Sequence, residues 1–343
     1  MARDYRGFCA RNLPSLAILC LTLAGLCGAN ASLALTRAEI YQAKVPVADR
    51  SEASKPAAFE AALRVVLVRV TGRRTAAEDP VFGPLLGNAR RYVQQYRDTQ
   101  EGQLWVSFDA AAIDRWLAQN NQPLWGRERP STYLWLTVPG GAQGGTVITA
   151  EDTSDLKQAV DAAAYERGAP VIWPSAADLQ RNHLDYAAVN SSSAATLEDI
   201  GHRSGGEGTL IGKAGAAGAA AAIRWIFVFK DRSSEFSGAA PEGINRAADT
   251  YAGLLAVSGA AAPVVIEVTG INDLKDYAYV QSALESLAFI SHVGVEALNG
   301  NVVQFRLTSR GGPDAVRNAL PAGGRLQPGS AGDGGVARFE LRH

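Results

Sequence analysis

The sequence predicts a mixed α/β and α+β protein built of three small modules in series, the last of them ferredoxin-like. Three observations carry this. Strand-length apolar runs alternate with amphipathic helix-length stretches from Ile40 to Leu341, the pattern of sheets covered by helices. Pro123, Gly126 and Pro130 interrupt regular structure between Gln122 and Pro130. From Val264 onward the order reads β-α-β-β-α-β, the split motif of ferredoxin-like folds. The expected boundaries are residues 1–34 for a signal peptide, 35–128 for an N-terminal α/β module, 129–260 for a middle α/β sandwich and 261–343 for the C-terminal module.

In the first module, Ile40–Val45 alternates as a strand does. Ser51 or Ser54 is placed to cap a helix whose first turn tolerates Pro56. Phe59, Leu63, Val66, Leu67 and Val70 then share one helical face, widened by Val65 and Val68, and Thr71-Gly72 ends the helix. A short helix is expected over Pro80–Ala89, then two strands, Tyr92–Tyr96 and Leu104–Phe108, joined by the polar turn Arg97–Gln103. Asp109 caps a helix carrying Ile113, Trp116 and Leu117.

The middle module opens with Tyr133–Val138, a near-continuous apolar run that suits a strand buried on both faces. Gly140–Gly145 reads as a loop, Asp155–Arg167 as a helix stopped by Gly168, and Pro170–Pro174 as a short strand. Helical signals return at Ala176–His183 and Ala194–Arg203, strands at Thr209–Lys213 and Ile223–Phe229, and a helix at Ile244–Val257. The C-terminal module has a strand at Val264–Val268 and a helix at Asp273–Leu287 with Leu274, Tyr277, Val280, Leu284 and Leu287 along one side. Strands Ile290–Leu298 and Val302–Thr308 flank Asn299-Gly300, a strong hairpin signal. A helix over Pro313–Leu320 and strands at Arg325–Gln327 and Val336–Leu341 complete it.

The first residues read as a cleavable export signal. Arg3, Arg6 and Arg11 form a basic region, Leu13–Gly28 is uncharged and apolar, and small residues at Ala29-Asn30-Ala31 and Ser32-Leu33-Ala34 offer cleavage sites. The apolar run is interrupted by Pro14 and falls short of the roughly 20 residues that span a bilayer. Cys20 and Cys27 each follow a leucine, where a lipoprotein cysteine follows a small residue. The expected mature chain is periplasmic. All three cysteines, Cys9, Cys20 and Cys27, fall inside the leader, so that mature chain has no disulfide and no thiol chemistry. Later low-charge stretches, Ala214–Phe229 and Tyr251–Ile266, are diluted by alanine and glycine and are read as loop plus strand and helix plus strand.

Charge and motifs exclude several classes. The chain has 33 basic and 34 acidic side chains, so it carries no basic field of the kind that binds nucleic acid. No two of His183, His202, His292 and His343 have metal-ligand spacing. No Gly-x-Ser-x-Gly elbow occurs, and His202-Arg203-Ser204-Gly205-Gly206 lacks the first glycine. The glycine cluster Gly205–Lys213 has Glu207 where a phosphate loop needs glycine, and Ala214 where it needs a hydroxyl. Glu151, Asp152 and Asp155 read as a helix N-terminus favoured by its dipole. No catalytic residue, metal ligand or cofactor is assigned.

One stretch stands out. All six tryptophans lie between residues 105 and 225, and Trp125-Gly126-Arg127-Glu128-Arg129-Pro130 sets an aromatic and two arginines between the first two modules. Trp125, Arg127 and Arg129 are the candidate binding hinge, since arginine and tryptophan favour contacts at such junctions. Against this stands a packing role, in which Trp125 fills the hinge and the arginines pair with nearby acids to lock two modules together.

At Lys44–Ser51, Ala61–Gly72, Leu104–Asp109 and Pro123–Gly126 with Arg129-Pro130, the chain resembles the exported bacterial domain of unknown function 2066 family. That resemblance implies a Gram-negative envelope location and brings no activity and no catalytic residues. Gly208–Gly212, entering a strand after a helix, makes the middle module similar to small periplasmic α/β domains of envelope assembly factors. These include the N-terminal domain of the Tol-system propeller protein and the lipoprotein activators of peptidoglycan synthases. The expected function is a non-catalytic periplasmic interaction protein that meets an envelope protein or the cell wall. The alternatives are an envelope hydrolase with a dispersed Ser/His/carboxylate site, and a small-ligand receptor that uses the hinge around Trp125.

Overall fold

The computed structural model describes residues 37–343, except 50, 100–101, 127–128, 142–143, 216–221, 231, 321–323 and 330–335. The expected leader lies outside the described residues, and so does Arg127 of the hinge. The rest is a mixed α/β structure with three sheets among the described residues.

The first sheet is antiparallel, in the order β1-β3-β2. A short helix α1 (Arg37–Ile40) leads into β1 (Gln42–Pro46), and β2 (Val93–Asp98) and β3 (Gln103–Phe108) form the hairpin read from the sequence. Between β1 and that hairpin runs α2 (Lys55–Thr71), whose Phe59, Leu63, Val66, Leu67 and Val70 are all buried. It ends at Gly72, in the left-handed conformation that glycine adopts without strain (φ 70°). Ser54 stands at the N-cap position but does not cap. Its backbone is helical (φ −82°, ψ −20°) in place of the extended conformation a capping residue takes, and its hydroxyl proton is shared between the Asp49 and Ser51 carbonyls.

The helix expected over Pro80–Ala89 is broken. A 3-10 turn at Pro80–Phe82, the single turn α3 (Gly83–Leu86) and a second 3-10 turn at Ala89–Tyr92 replace it. Pro84 has no N–H to give the Pro80 carbonyl, so the first turn cannot continue into the next. Asp109 accepts from the Ala112 N–H and caps α4 (Ala110–Gln119) as expected.

In the middle module β4 (Thr132–Pro139) is flanked on one side by β5 (Gly145–Val147) and, beyond α5 (Asp155–Arg167), by the two-residue β6 (Val171–Ile172). After α6 (Ala176–Arg181), α7 (Tyr186–Ser191) and α8 (Ala194–Arg203), β7 (Gly208–Lys213) pairs parallel to β4 on its other side. Antiparallel β8 (Ile223–Phe229) and β9 (Arg232–Gly238) extend the sheet, and α9 (Ala240–Leu255) returns across it. Side-chain parity divides the core in two. Leu134, Leu136, Leu210, Trp225 and Phe227 face α5 and α9, and Tyr133, Trp135 and Ile211 face α7 and α8. That is why Tyr133–Leu136 reads as apolar at every position: both faces are covered. Elements β5, α7 and β9 were not expected. β9 reads Arg-Ser-Ser-Glu-Phe-Ser-Gly, an exposed polar edge without an apolar alternation to reveal it.

The C-terminal module holds β10 (Ala262–Thr269), α10 (Leu274–Ser286), β11 (Ile290–Asn299), β12 (Val302–Ser309), α11 (Gly312–Ala319), β13 (Leu326–Pro328) and β14 (Ala337–Leu341). Its sheet order is β11-β12-β10-β14-β13, with β10 antiparallel to β12 and parallel to β14. The order β11-β12-β10 is that of a ferredoxin-like sheet, but the expected motif is corrected at its end: β13 takes the direction of a ferredoxin-like last strand and lies on the outside, and the chain then reverses so that β14 enters beside β10 in parallel. Gly300 takes the positive φ (61°) that the expected hairpin turn requires.

The modules follow one another in sequence, yet the first and third share a core. Leu124 and Val257 form a two-bond bridge (Leu124 N–H to Val257 O 2.8 Å, the reverse 2.9 Å), and buried apolar contacts run through both residues from α2 to β10 and β12.

Close packing beneath Trp225 gives a test. A methyl at Gly212 would be driven into the Trp225 ring and to 2.8 Å from Leu136 Cδ1. Gly212→Ala should cost about 1–3 kcal/mol by overpacking, seen as a lower urea midpoint at unchanged slope. Trp225→Phe in the same chain should recover part of that loss.

Candidate functional site

Three buried arginines meet at the junction of the first two modules. Arg69 comes from the last turns of α2, Arg129 from the hinge loop, and Arg167 from the end of α5; each is less than a tenth exposed. Arg129 uses its whole guanidinium on main chain. Its Nε donates to Gly126 O (3.1 Å), Nη1 to Arg167 O (3.1 Å) and Gly168 O (3.0 Å), and Nη2 to Arg69 O (2.7 Å) and Trp125 O (3.2 Å). A guanidinium has five N–H donors, and here five carbonyls receive them. Three of those carbonyls lie at the C-terminal ends of α2 and α5, where the helix dipole presents negative charge to a cation. The group also lies 4.0 Å from the centre of the Trp125 ring.

Burial pulls the Arg129 pKa down to about 9; Tyr41 opposes this, and repulsion from Arg69 and Arg167 adds to it. The group therefore stays charged at neutral pH. The arginines pair with acids only in part. Arg167 donates to Asp249 Oδ1 (2.6 Å) and Asn245 Oδ1 (3.2 Å), both on α9, and to Gly72 O (2.8 Å). Burial lowers its pKa, and the Asp249 carboxylate resists that. Arg69 donates to Glu39 O (3.1 Å) and Gln42 O (2.6 Å) and stacks 4.3 Å from the centre of the Tyr165 ring. A fourth buried arginine, Arg310, ties the start of the hinge to the C-terminal module through Gln122 O (2.8 Å) and Gly259 O (2.9 Å).

These contacts decide what the hinge is. Trp125 is 1% exposed, its main-chain N–H donates to Val70 O (2.6 Å), and its ring packs against the positive-φ turn at Gly72. Trp125 and Arg129 present no open clamp to a ligand. The expected arginine–acid pairing is corrected for Arg129, which is held by carbonyls throughout. Arg127 lies outside the described residues. A cleft of about 500 Å³ opens beside the junction, lined by Arg73, Arg74, Pro123, Asp249 and Ala252 among others, and by neither Trp125 nor Arg129. Its charges are matched internally: Arg73 pairs with Asp79 (2.6 Å) and Arg74 with Glu242 (3.0 Å) and Asp249 (3.8 Å).

Sequence reading missed Arg69, Arg167 and Arg310. Arg69 had a signal, since it falls inside the apolar run Val65–Val70, where an exposed charge would interrupt the buried stripe. Arg167 had none, because a basic residue in a last turn before glycine is ordinary on a surface helix.

The histidines are dispersed as well. His183 follows α6, His202 lies on α8 and His292 on β11; all are exposed, as is His343. His202 contacts Gly206 O (2.8 Å) and Glu198 (3.5 Å), and His343 contacts Gly270 O (3.1 Å) and Asp276 (3.7 Å). Among the described residues no group of histidines and carboxylates is placed to hold a metal ion, and no helix is long and apolar enough to cross a membrane.

Comparison with known proteins corrects the family resemblance. Residues 34–126, the first module and the start of the hinge, match a family described as Domain of unknown function (DUF8605). This is a different family from domain of unknown function 2066, so that resemblance no longer supports an envelope location. No curated protein and no solved structure matches the chain, so the likeness of the middle module to envelope assembly domains gains no support.

Arg129→Ala should destabilise the chain by about 3–5 kcal/mol in denaturant unfolding, because buried carbonyls lose their donors. Arg129→Lys should recover less than half of that. An ammonium has three donors for five acceptors and cannot fork.

Proposed function

We propose that the protein is an exported, non-catalytic interaction protein of the periplasm that docks an envelope partner through its C-terminal module. The observation that carries this reading is an apolar surface. Leu274 is 79% exposed and Leu298 70%, and Val295, 49% exposed, stands three residues before Leu298 on the same strand. The Ile271 N–H donates to Asn301 O (3.1 Å), which ties the loop before α10 to the turn after β11 and brings Leu274 and Leu298 to the same end of the sheet. Clustered apolar side chains left in water mark contact surfaces. The locked arginine junction suits this role, since it holds the modules as a fixed platform. Location rests on the leader alone: three arginines, an uncharged apolar run and small residues before Ser32 and Leu35.

A photo-crosslinking residue at Leu274 or Leu298, introduced in living cells, should trap a defined envelope component. Leu274→Ser with Leu298→Ser should abolish specific capture while changing stability by less than about 0.5 kcal/mol per site, as exposed substitutions do. Background capture alone sinks the docking reading. Full-length protein in the cytosol with its leader intact sinks the location.

A further inference from the structure

The outer strands of this fold are unequally protected. β1 carries Lys44 and Pro46, β2 carries Arg97 and Asp98, and β9 carries Arg232 and Glu235; β5 and β13 span three residues each. Such charges, prolines and short lengths are how proteins keep a sheet edge from pairing with another chain. β11 is guarded least: its one charge, Glu296, is taken up by Arg306 of the neighbouring strand, and its two irregularities leave the stretch Val293–Val295 regular. It is the outer strand of the C-terminal sheet, ten residues long, with no lysine, arginine or proline. Its pairing with β12 is irregular between Ile290 and His292 and between Val295 and Ala297, and Val293, Gly294 and Val295 between them keep regular register.

The side chains of β11 are arranged to meet their own copies. Val293 and Val295 stand opposite Leu307 and Phe305, which are buried, so they belong to the helix-covered face. Gly294 stands opposite Arg306 and His292 opposite Thr308, on the other face. Glu296 shares that second face, because it is ion-paired with Arg306. An antiparallel copy turned about Gly294 sets Val293 against Val295 on one face and His292 against Glu296 on the other. Each contact occurs twice. The valines supply apolar cross-strand pairs, and the imidazole N–H donates to a carboxylate. Glu296 can accept from Arg306 and from the incoming histidine together, since a carboxylate offers about four acceptor sites. At the centre, a Cβ on Gly294 would lie 3.3 Å from His292 Nε2. Glycine therefore leaves the histidine ring room where the two strands come closest.

We propose that two copies of this chain associate by antiparallel pairing of β11 with β11, about a two-fold axis at Gly294. The two sheets then become one, with the Leu274–Leu298 surface of each copy on the same side. This proposal is independent of what that surface binds.

The test uses protein purified from cells that express the full chain. Sedimentation velocity should show a concentration-dependent monomer–dimer shift. His292→Glu, which faces Glu296 with a like charge at both pairs, should leave monomer. Adding Glu296→His exchanges the partners and should restore the dimer. Gly294→Cys should oxidise to a disulfide linking two copies of the peptide that contains residue 294, identified by mass spectrometry, because facing Cα atoms in an antiparallel pair are about 4.5–5.5 Å apart. A cysteine at Ser234 on β9 should not. Melting curves confirm that each variant is folded. Monomer at every soluble concentration overturns the proposal, as does a dimer indifferent to His292→Glu and to Gly294→Cys oxidation. A monomer whose β11 pairs instead with a strand of another protein overturns it equally. Leu274→Ser with Leu298→Ser should leave the dimer intact, so loss of partner capture and loss of dimer are read separately.

Discussion

A guanidinium enclosed by main-chain carbonyls is the constraint on which the junction between the first two modules depends. The last turns of α2 and α5 aim carbonyls at one point, and the hinge loop supplies Arg129 to meet them. A cation at two helix C-termini satisfies acceptors that helices leave open, and it does so where water cannot. Arg69 and Arg167, buried beside it, share the same logic and bring neighbouring segments with them: Glu39 and Gln42 through the first, Gly72, Asn245 and Asp249 through the second. The hinge is therefore an internal fastening. Carbonyl acceptors and a stacked indole define one geometry, whereas a clamp needs two.

Around that fastening the core is continuous in an order that differs from the chain's. Leu124 and Val257 join α2 and its sheet to the C-terminal module, so residues far apart in sequence share one apolar interior. The middle module keeps its own core in two layers, one on each face of β4 and β7. Charge and proline on the other outer strands, and a single glutamate held by Arg306 on β11, then distribute where another chain can add.

The fold was largely legible because most elements carry a periodic signal that burial imposes. The α2 stripe, the two-sided run of β4, the Asp109 cap and the Asn299-Gly300 hairpin each state a local preference that agrees with the final structure. Elements escaped where that signal is missing. β9 is polar along its length, α7 is a turn and a half with one buried side chain, Val189, and Pro84 breaks a helix that apolar spacing alone would allow. The candidate site was legible only as composition. Trp125 and Arg129 were visible as an unusual pair, but whether they face water or each other is settled by residues up to 60 positions away.

The sequence by itself determined most of the segments that become helices and strands, where the C-terminal module turns, and that no cysteine follows Cys27. Tertiary structure alone decided that Arg129 is buried, that the first and last modules share a core, and that β11 has the least guarded edge. The reason is physical. Secondary structure follows from hydrogen bonds and apolar periodicity over a few residues. The environment of a charge or a strand edge depends on which distant carbonyls and side chains the fold carries to it, and no local pattern encodes that.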